Sequence, residues 1–285
     1  MVQYKKGEAR AWAREHMKGV ANVVIPSYTQ DLEKLSEKGI RHDIRTCINY
    51  GFWGTLLVSE VAITVPEYVQ FTQWARDEAA GKLTLIHHAA FNTLEENIEA
   101  VQLTEKAGAE LVLLGYPANF YAKSEKDIYD YTKAFCDSTQ LGVILFPVPL
   151  WGFERVHPAG MSPELIRQMV KEIPNIVSIK AEGGMPTLAG FIQTWKNHCD
   201  DVVVTFPVED EALPLAGGRQ EVRVRGRWGQ WGRAGQRGER RAGRRRGQVG
   251  ACGEDAAEVH AVEAHRRHGA ASAHRHPLGC QGVPG

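Results

Sequence analysis

The sequence predicts an α/β fold, and within it a (β/α)8 TIM barrel. Three observations carry that prediction. Short β-favouring runs alternate strictly with helical stretches over residues 11–206, the pattern of parallel strands joined by right-handed crossovers. Seven such strands fit into that span, and the first is not followed by the GxGxxG turn of a dinucleotide-binding sheet. Finally, the segment where an eighth strand should follow Leu213-Pro214-Leu215-Ala216 changes composition abruptly. The barrel is therefore expected to be incomplete, with its eighth strand replaced by a disordered tail.

Each element has a local reason. A short helix over 11–18 precedes the first strand, 20–26, a near-continuous apolar run closed by Pro26; such runs mark strands covered on both faces. A loop with Ser27 and Tyr28 leads to a helix over 40–50 that Gly51 ends. Strand 53–59 is followed by helix 65–80 with Pro66 in its first turn. Strand 83–89 leads to helix 93–107, where Thr93-Leu94-Glu95-Glu96 has the form of a capping box. Strand 110–116 and a helix over 124–138, opened by Ser124-Glu125-Lys126-Asp127, come next. Strand 142–147 precedes a helix capped by Ser162 with Pro163 at its first position. Strand 175–181, helix 187–198 and strand 201–206 complete the series.

Charge divides the chain in two. The formal net charge of the 285 residues is zero, yet from Arg219 onward 14 arginines face 6 acids. We read 1–216 as the barrel domain and 217–285 as an Arg/Gly/Ala-rich tail. The tail contains no Lys, Ile, Phe, Tyr, Met, Asn or Thr, and its only leucine is Leu278. Such a segment buries too little apolar area to offset its ordering entropy. Its composition is that of a G/C-rich gene read out of frame from about Gly217-Gly218, a hypothesis that an intact frame on resequencing would remove. The competing reading is an Arg/Gly tail that touches nucleic acid through phosphate charge. Nucleic acid is the weaker expectation, because Trp228 and Trp231 are the tail's only aromatics besides histidine. Cys47, Cys136, Cys199, Cys252 and Cys280 form no CxxC pair, which argues against a disulfide framework or zinc site. The start shows no apolar leader and no run is long enough to span a membrane, so the expected location is cytoplasmic.

The chemistry centres on Ile176-Val177-Ser178-Ile179-Lys180-Ala181-Glu182-Gly183-Gly184. Four β-favouring residues run into a lysine at the C-terminal end of a strand, then into a glycine loop. Burying an ammonium without a partner costs several kcal/mol. A desolvated lysine holds part of its population as neutral amine, which attacks a ketone to form a Schiff base. The plainer reading is a strand-end lysine that reaches solvent or pairs with Glu182.

Between about Val20 and Ala216 the chain resembles the dihydrodipicolinate synthase / N-acetylneuraminate lyase family of class I aldolases. Pro174-Asn175-Ile176-Val177-Ser178-Ile179-Lys180 resembles the segment around that family's Schiff-base lysine. Val143-Ile144-Leu145-Phe146-Pro147-Val148-Pro149 resembles its fifth strand, and Lys106-Ala107-Gly108-Ala109-Glu110 its helix-to-strand turn. Ile40 and Asp43 stand where it has an Ile-Asp pair. The resemblance implies a (β/α)8 barrel with C-terminal helices and a homo-oligomer. It also implies a small 2-oxo acid substrate of pyruvate type, with no cofactor and no metal. Lys180 becomes the nucleophile, and its protonated imine an electron sink for an α-carbanion. Barrel sites lie at the C-terminal ends of strands, which is where Lys180 falls.

Two departures imply an altered substrate or reaction. The family's strand-five tyrosine, a proton relay, is here Phe146, which has no hydroxyl. Its Gly-Thr-Thr-Gly-Glu carboxylate loop is here Leu56-Leu57-Val58-Ser59-Glu60. Candidate substitutes are Ser59, His87 or its neighbour His88 (alternation turns one of the two toward the axis), Tyr116, Tyr28 and Glu182, with Phe146 itself lining the site. Trp151 and Phe153 suggest a more apolar second substrate or pack under a helix, and Arg155 is a weak match to a distal carboxylate contact. The expected function is a Schiff-base lyase or aldolase on a 2-oxo acid. The alternatives are a catalytically inert relative and nucleic-acid binding through the tail.

Overall fold

The computed structural model of the protein describes residues 3–181 and 187–206. Glu182, the expected eighth strand and the tail lie outside the described residues. All the strands and helices expected within them are present. The strands are β1 (Ala21–Val24), β2 (Gly54–Leu57), β3 (Thr84–Ala89), β4 (Leu111–Leu114), β5 (Gly142–Leu145), β6 (Ile176–Lys180) and β7 (Val203–Thr205). The helices are α1 (Ala9–His16), α2 (Glu37–Asn49), α3 (Val65–Ala79), α4 (Leu94–Ala107), α5 (Glu125–Asp137), α6 (Pro163–Glu172) and α7 (Thr187–His198). The strands pair in sequence order, β1 through β7, and every pairing is parallel. This is the α/β-barrel order, seven strands of it.

Helix starts follow from side-chain caps. Thr64 and Glu67 form a reciprocal capping box at α3, and Ser124 and Asp127 another at α5. Ser162 accepts from the Leu165 N–H at α6. At α4 the expected box is only half made. Thr93 accepts from the Glu96 N–H, but the Glu96 carboxylate takes the backbone N–H of Asn92, one residue earlier. Helix α2 begins three residues before the expected start, because Ser36 accepts from Gly39 and supplies a cap the sequence reading did not use.

Strand faces sort the core. Ile86, Leu111, Leu113, Ile144, Phe146 and Val177 make a cluster on the axis side of the sheet. Leu57 and Leu85 pack the other way against α2 and α3, and Leu114, Val143, Leu145 and Ile179 against α5 and α6. One expectation needs correction: β1 is not covered on both faces. Val23 is 56% exposed, because among the described residues β1 pairs only with β2 and is an edge strand.

The N-terminal end of the barrel is stoppered by the chain's start. Trp12 of α1 and Tyr4 belong to the axis cluster. The Tyr4 hydroxyl accepts from the Gly142 N–H at 2.8 Å and donates to the Glu110 carbonyl. Arg10 Nε donates to the Ile176 carbonyl at 2.8 Å, and Lys6 Nζ to the Cys136 carbonyl at 2.6 Å. Glu110, Gly142 and Ile176 sit at or just before the N-terminal ends of β4, β5 and β6, and Cys136 in the last turn of α5, so chemistry is left to the opposite end.

Candidate active site

Lys180 faces the axis because β6 breaks its own alternation. Val143 is paired with Ile176, but the next residue, Ile144, is paired with Ser178 rather than Val177. Val177 is thus an extra residue, a bulge in a parallel pair. Ile176 and Ile179 both pack in the helix-side cluster, while Val177 packs on the axis. Without the bulge, Ile179 would take the axis and Lys180 would turn into the helix layer. With it, the Lys180 Nζ lies over the Phe146 ring, 4.0 Å from its centroid. Lys180 is paired on its other side with Thr205 of β7.

The wall beside Lys180 is aromatic. The Trp151 indole N–H donates to the Phe146 carbonyl at 2.7 Å, and the two rings meet edge to face at 5.9 Å. Gly115 makes room for it. A Cβ there would lie 3.4 Å from the Trp151 ring and 2.8 Å from the Ala89 carbonyl, a distance that real Cβ atoms do not take up. The loop after β5 adds a small apolar cleft of about 170 Å³, lined by Pro147, Val148, Trp151, Phe153, Pro158 and Met161. Of the two aromatics singled out in this loop, Phe153 packs in the buried helix-side core and Trp151 stands against Phe146. Arg155 stacks on Tyr121, 3.7 Å from its ring centroid, and donates to the Ala122 carbonyl; it braces the loop after β4.

At the end of β3 it is His88, not His87, that joins the lysine side. Leu85, His87 and Ala89 face the helices. The His87 Nδ1 pairs with Thr104 Oγ1 of α4 at 2.8 Å, and its ring meets Tyr68 of α3 edge to face. His87 therefore does not line the site. Burial first, then the neighbouring His88, lowers its pKa to about 3. His88 shares the axis face with Ile86 and is held at three points. Its backbone N–H donates to the Tyr68 hydroxyl at 2.8 Å, and that hydroxyl donates to the Leu57 carbonyl of β2 at 2.6 Å. The Ser59 hydroxyl donates to the His88 carbonyl at 2.6 Å. The Ser59 backbone N–H donates to His88 Nδ1 at 3.4 Å. Burial first, then the charge of Lys180, lowers the His88 pKa to about 4, so the ring is neutral near pH 7.

Two further expectations change with these contacts. The Ser59 hydroxyl is spent on the His88 carbonyl and is 4% exposed as a residue, so it positions a histidine rather than meeting a ligand. The Tyr116 hydroxyl bonds Thr132 Oγ1 of α5 at 2.6 Å, inside a cluster with Phe120, Tyr131 and Phe153. It belongs to the helix layer and does not replace the missing relay. Burial raises its pKa further. The Tyr28 hydroxyl donates to the Ala62 carbonyl at 2.8 Å. Tyr68 was not singled out from the sequence. Its place in a helix and its apolar neighbours read as core, and only the register of β2 and β3 shows what its hydroxyl joins.

The sheet order and the lysine at the C-terminal end of its sixth strand define a barrel-class α/β protein with its candidate nucleophile at the usual catalytic end. The chain belongs to the dihydrodipicolinate synthetase family, whose profile matches residues 16–214. It is 24% identical over 205 residues to the 4-hydroxy-tetrahydrodipicolinate synthase of Methanopyrus kandleri, covering 70% of this chain and 65% of that one. It is 28% identical over 168 residues to the synthase of Bacillus subtilis, covering 57% of this chain and 54% of that one. The chain thus spans between half and two thirds of the length of these two relatives. Among solved structures, the N-acetylneuraminate lyase of Fusobacterium nucleatum superposes with a TM-score of 0.60 at 21% identity, over 70% of this chain and 67% of that one. That likeness shows the fold.

Proposed function

We propose that the protein is a lysine Schiff-base lyase or aldolase acting on a small 2-oxo acid, with Lys180 as the nucleophile. The observation that carries this is the β6 bulge, which spends a strand irregularity to bring one lysine onto the axis against the face of Phe146. The amine adds to the C2 carbonyl, water leaves, and a protonated imine remains. That cation takes up the electron pair released when a bond at C3 breaks. The Phe146 face favours the cation at this point, as it favours the ammonium. Family membership supports the reaction class. The aromatic wall of Phe146 and Trp151, where the resemblance implies a tyrosine and a polar mouth, supports a substrate more apolar than that of the synthases. A homo-oligomer is part of the same proposal.

The test is deuterium exchange at C3 of 2-oxo acids incubated with the protein in heavy water, read by proton NMR. Exchange that disappears in Lys180→Met supports the proposal. A folded chain that exchanges none of a panel of aliphatic and aromatic 2-oxo acids would leave a catalytically inert relative instead.

A further inference from the structure

The axis face of the sheet is built mainly from apolar side chains, Ile86, Leu113, Ile144 and Val177 among them. His88 places an imidazole in that lining, at the C-terminal end of β3, where it is paired with Leu113 of β4, itself paired with Ile144 of β5. Its orientation is fixed from both sides. Ser59 binds its carbonyl with the hydroxyl and its Nδ1 with the backbone N–H, and Tyr68 ties its N–H to the carbonyl of Leu57. An Nδ1 that accepts from a backbone N–H is unprotonated, so the neutral ring carries its hydrogen on Nε2. The result is an uncharged, rigidly held N–H donor on the same axis face as Lys180.

A 2-oxo acid held at Lys180 carries its carboxylate on the carbon next to the reacting one. In an apolar lining that anion needs a donor, because an unpaired buried charge is costly. A neutral donor is well suited to the task. It meets the carboxylate without adding a second cation that would repel the protonated imine. It also transfers no proton, since it binds in the form that is stable near pH 7. Resting on the Schiff-base reading of Lys180, we propose that the Nε2–H of His88 is the hydrogen-bond donor that binds the substrate carboxylate, so that the Ser59–His88 pair selects 2-oxo acids over uncharged ketones. Ser59 and Tyr68 are positioning residues for that donor.

The experiment compares pyruvate with methyl pyruvate, whose carboxyl is esterified. The full chain is incubated with each over a range of concentrations and reduced with borohydride, and the adduct on Lys180 is quantified by peptide mass. Hydrogen bonds to charged acceptors are about twice as strong as those to neutral ones. His88→Leu is therefore expected to raise the pyruvate concentration for half-maximal trapping by about tenfold or more, with methyl pyruvate changed by no more than about twofold. His88→Gln, which keeps an N–H donor, is expected to recover part of the pyruvate affinity, and its thermal melt controls for folding. Equal losses for acid and ester, or no loss for either, would overturn the carboxylate role while leaving Lys180 standing. A folded wild-type chain with no Lys180 adduct from either compound would remove the lysine reading itself, and this proposal with it.

Discussion

Ile176 and Ile179, three residues apart on one strand, face the same helix layer. Regular alternation forbids that, and the bulge at Val177 permits it. The strand's last residue is then carried to the axis, where Phe146 receives it at 4.0 Å. Deleting Val177 removes only the extra residue and should leave Lys180 on the axis, whereas inserting one alanine between Ser178 and Ile179 is expected to turn Lys180 into the apolar helix layer. The insertion variant should accumulate as insoluble chain or, where it folds, give no adduct on Lys180. A folded insertion variant trapped at the wild-type level would contradict the role given to the facing of this strand end.

Phe146→Leu keeps most of the volume and removes the ring face. A cation over an aromatic ring gains about 0.5–2 kcal/mol, but the ammonium and the protonated imine both gain it, so imine yield at a fixed 2-oxo acid concentration should change by no more than about twofold. Phe146→Tyr retains the face and should retain the yield. Titrating borohydride adducts against acid concentration for the three proteins measures this, and a fall of about tenfold or more in Phe146→Leu alone would show that the ring favours the imine over the ammonium.

Tyr116→Phe separates the helix layer from the site. Its hydroxyl bonds Thr132, buried, so the variant should lose about 1 kcal/mol in denaturant unfolding. Adduct formation at Lys180 should not change. Loss of the adduct with stability intact would return Tyr116 to the chemistry.

Ser59→Ala leaves the His88 carbonyl without its 2.6 Å donor. Roughly 1–3 kcal/mol of stability should be lost, the cost of an unsatisfied buried acceptor. An unchanged melting temperature would show that the Ser59 hydroxyl does not hold this strand end.

Acid should destabilise the protein through its paired histidines. Both pKa values lie below the ordinary 6.5, at about 3 for His87 and about 4 for His88. The unfolded chain therefore binds protons that the folded chain refuses. The stability they contribute is complete above pH 6.5 and is lost as pH falls toward 4. Between pH 6.5 and pH 5 the loss should be on the order of 2 kcal/mol per histidine. Denaturant unfolding at the two pH values checks it, and His88→Gln should flatten part of the slope. A slope unaltered by that substitution would place the effect on other groups.

The architecture was legible because βα alternation and side-chain caps are local signals. Pro66, Ser124 and Ser162 each marked a helix start that the structure keeps. Facing direction was harder to read. Leu85, Ile86 and Ala89 are all apolar, so their pattern could not say which of His87 and His88 turns inward. The bulge left no mark either, since Ile176, Val177 and Ile179 suit either face. Tyr116 was read as a site residue from its strand-end position, and Ser59 from its place in the loop that resembles the family's carboxylate motif. Their hydroxyls are taken by Thr132 and by the His88 carbonyl, which only the packed helices and the paired strand ends reveal.

The most direct measurement of the central claim is the site of covalent capture. The full chain, shown to be folded by circular dichroism, is incubated with pyruvate and a panel of aliphatic and aromatic 2-oxo acids, reduced with borohydride and mapped by peptide mass. A single reduced adduct on Lys180 is the expected result, with the best-trapped acid defining the substrate class. A folded chain that carries no adduct, or carries it on other lysines with Lys180 unmodified, would contradict the account.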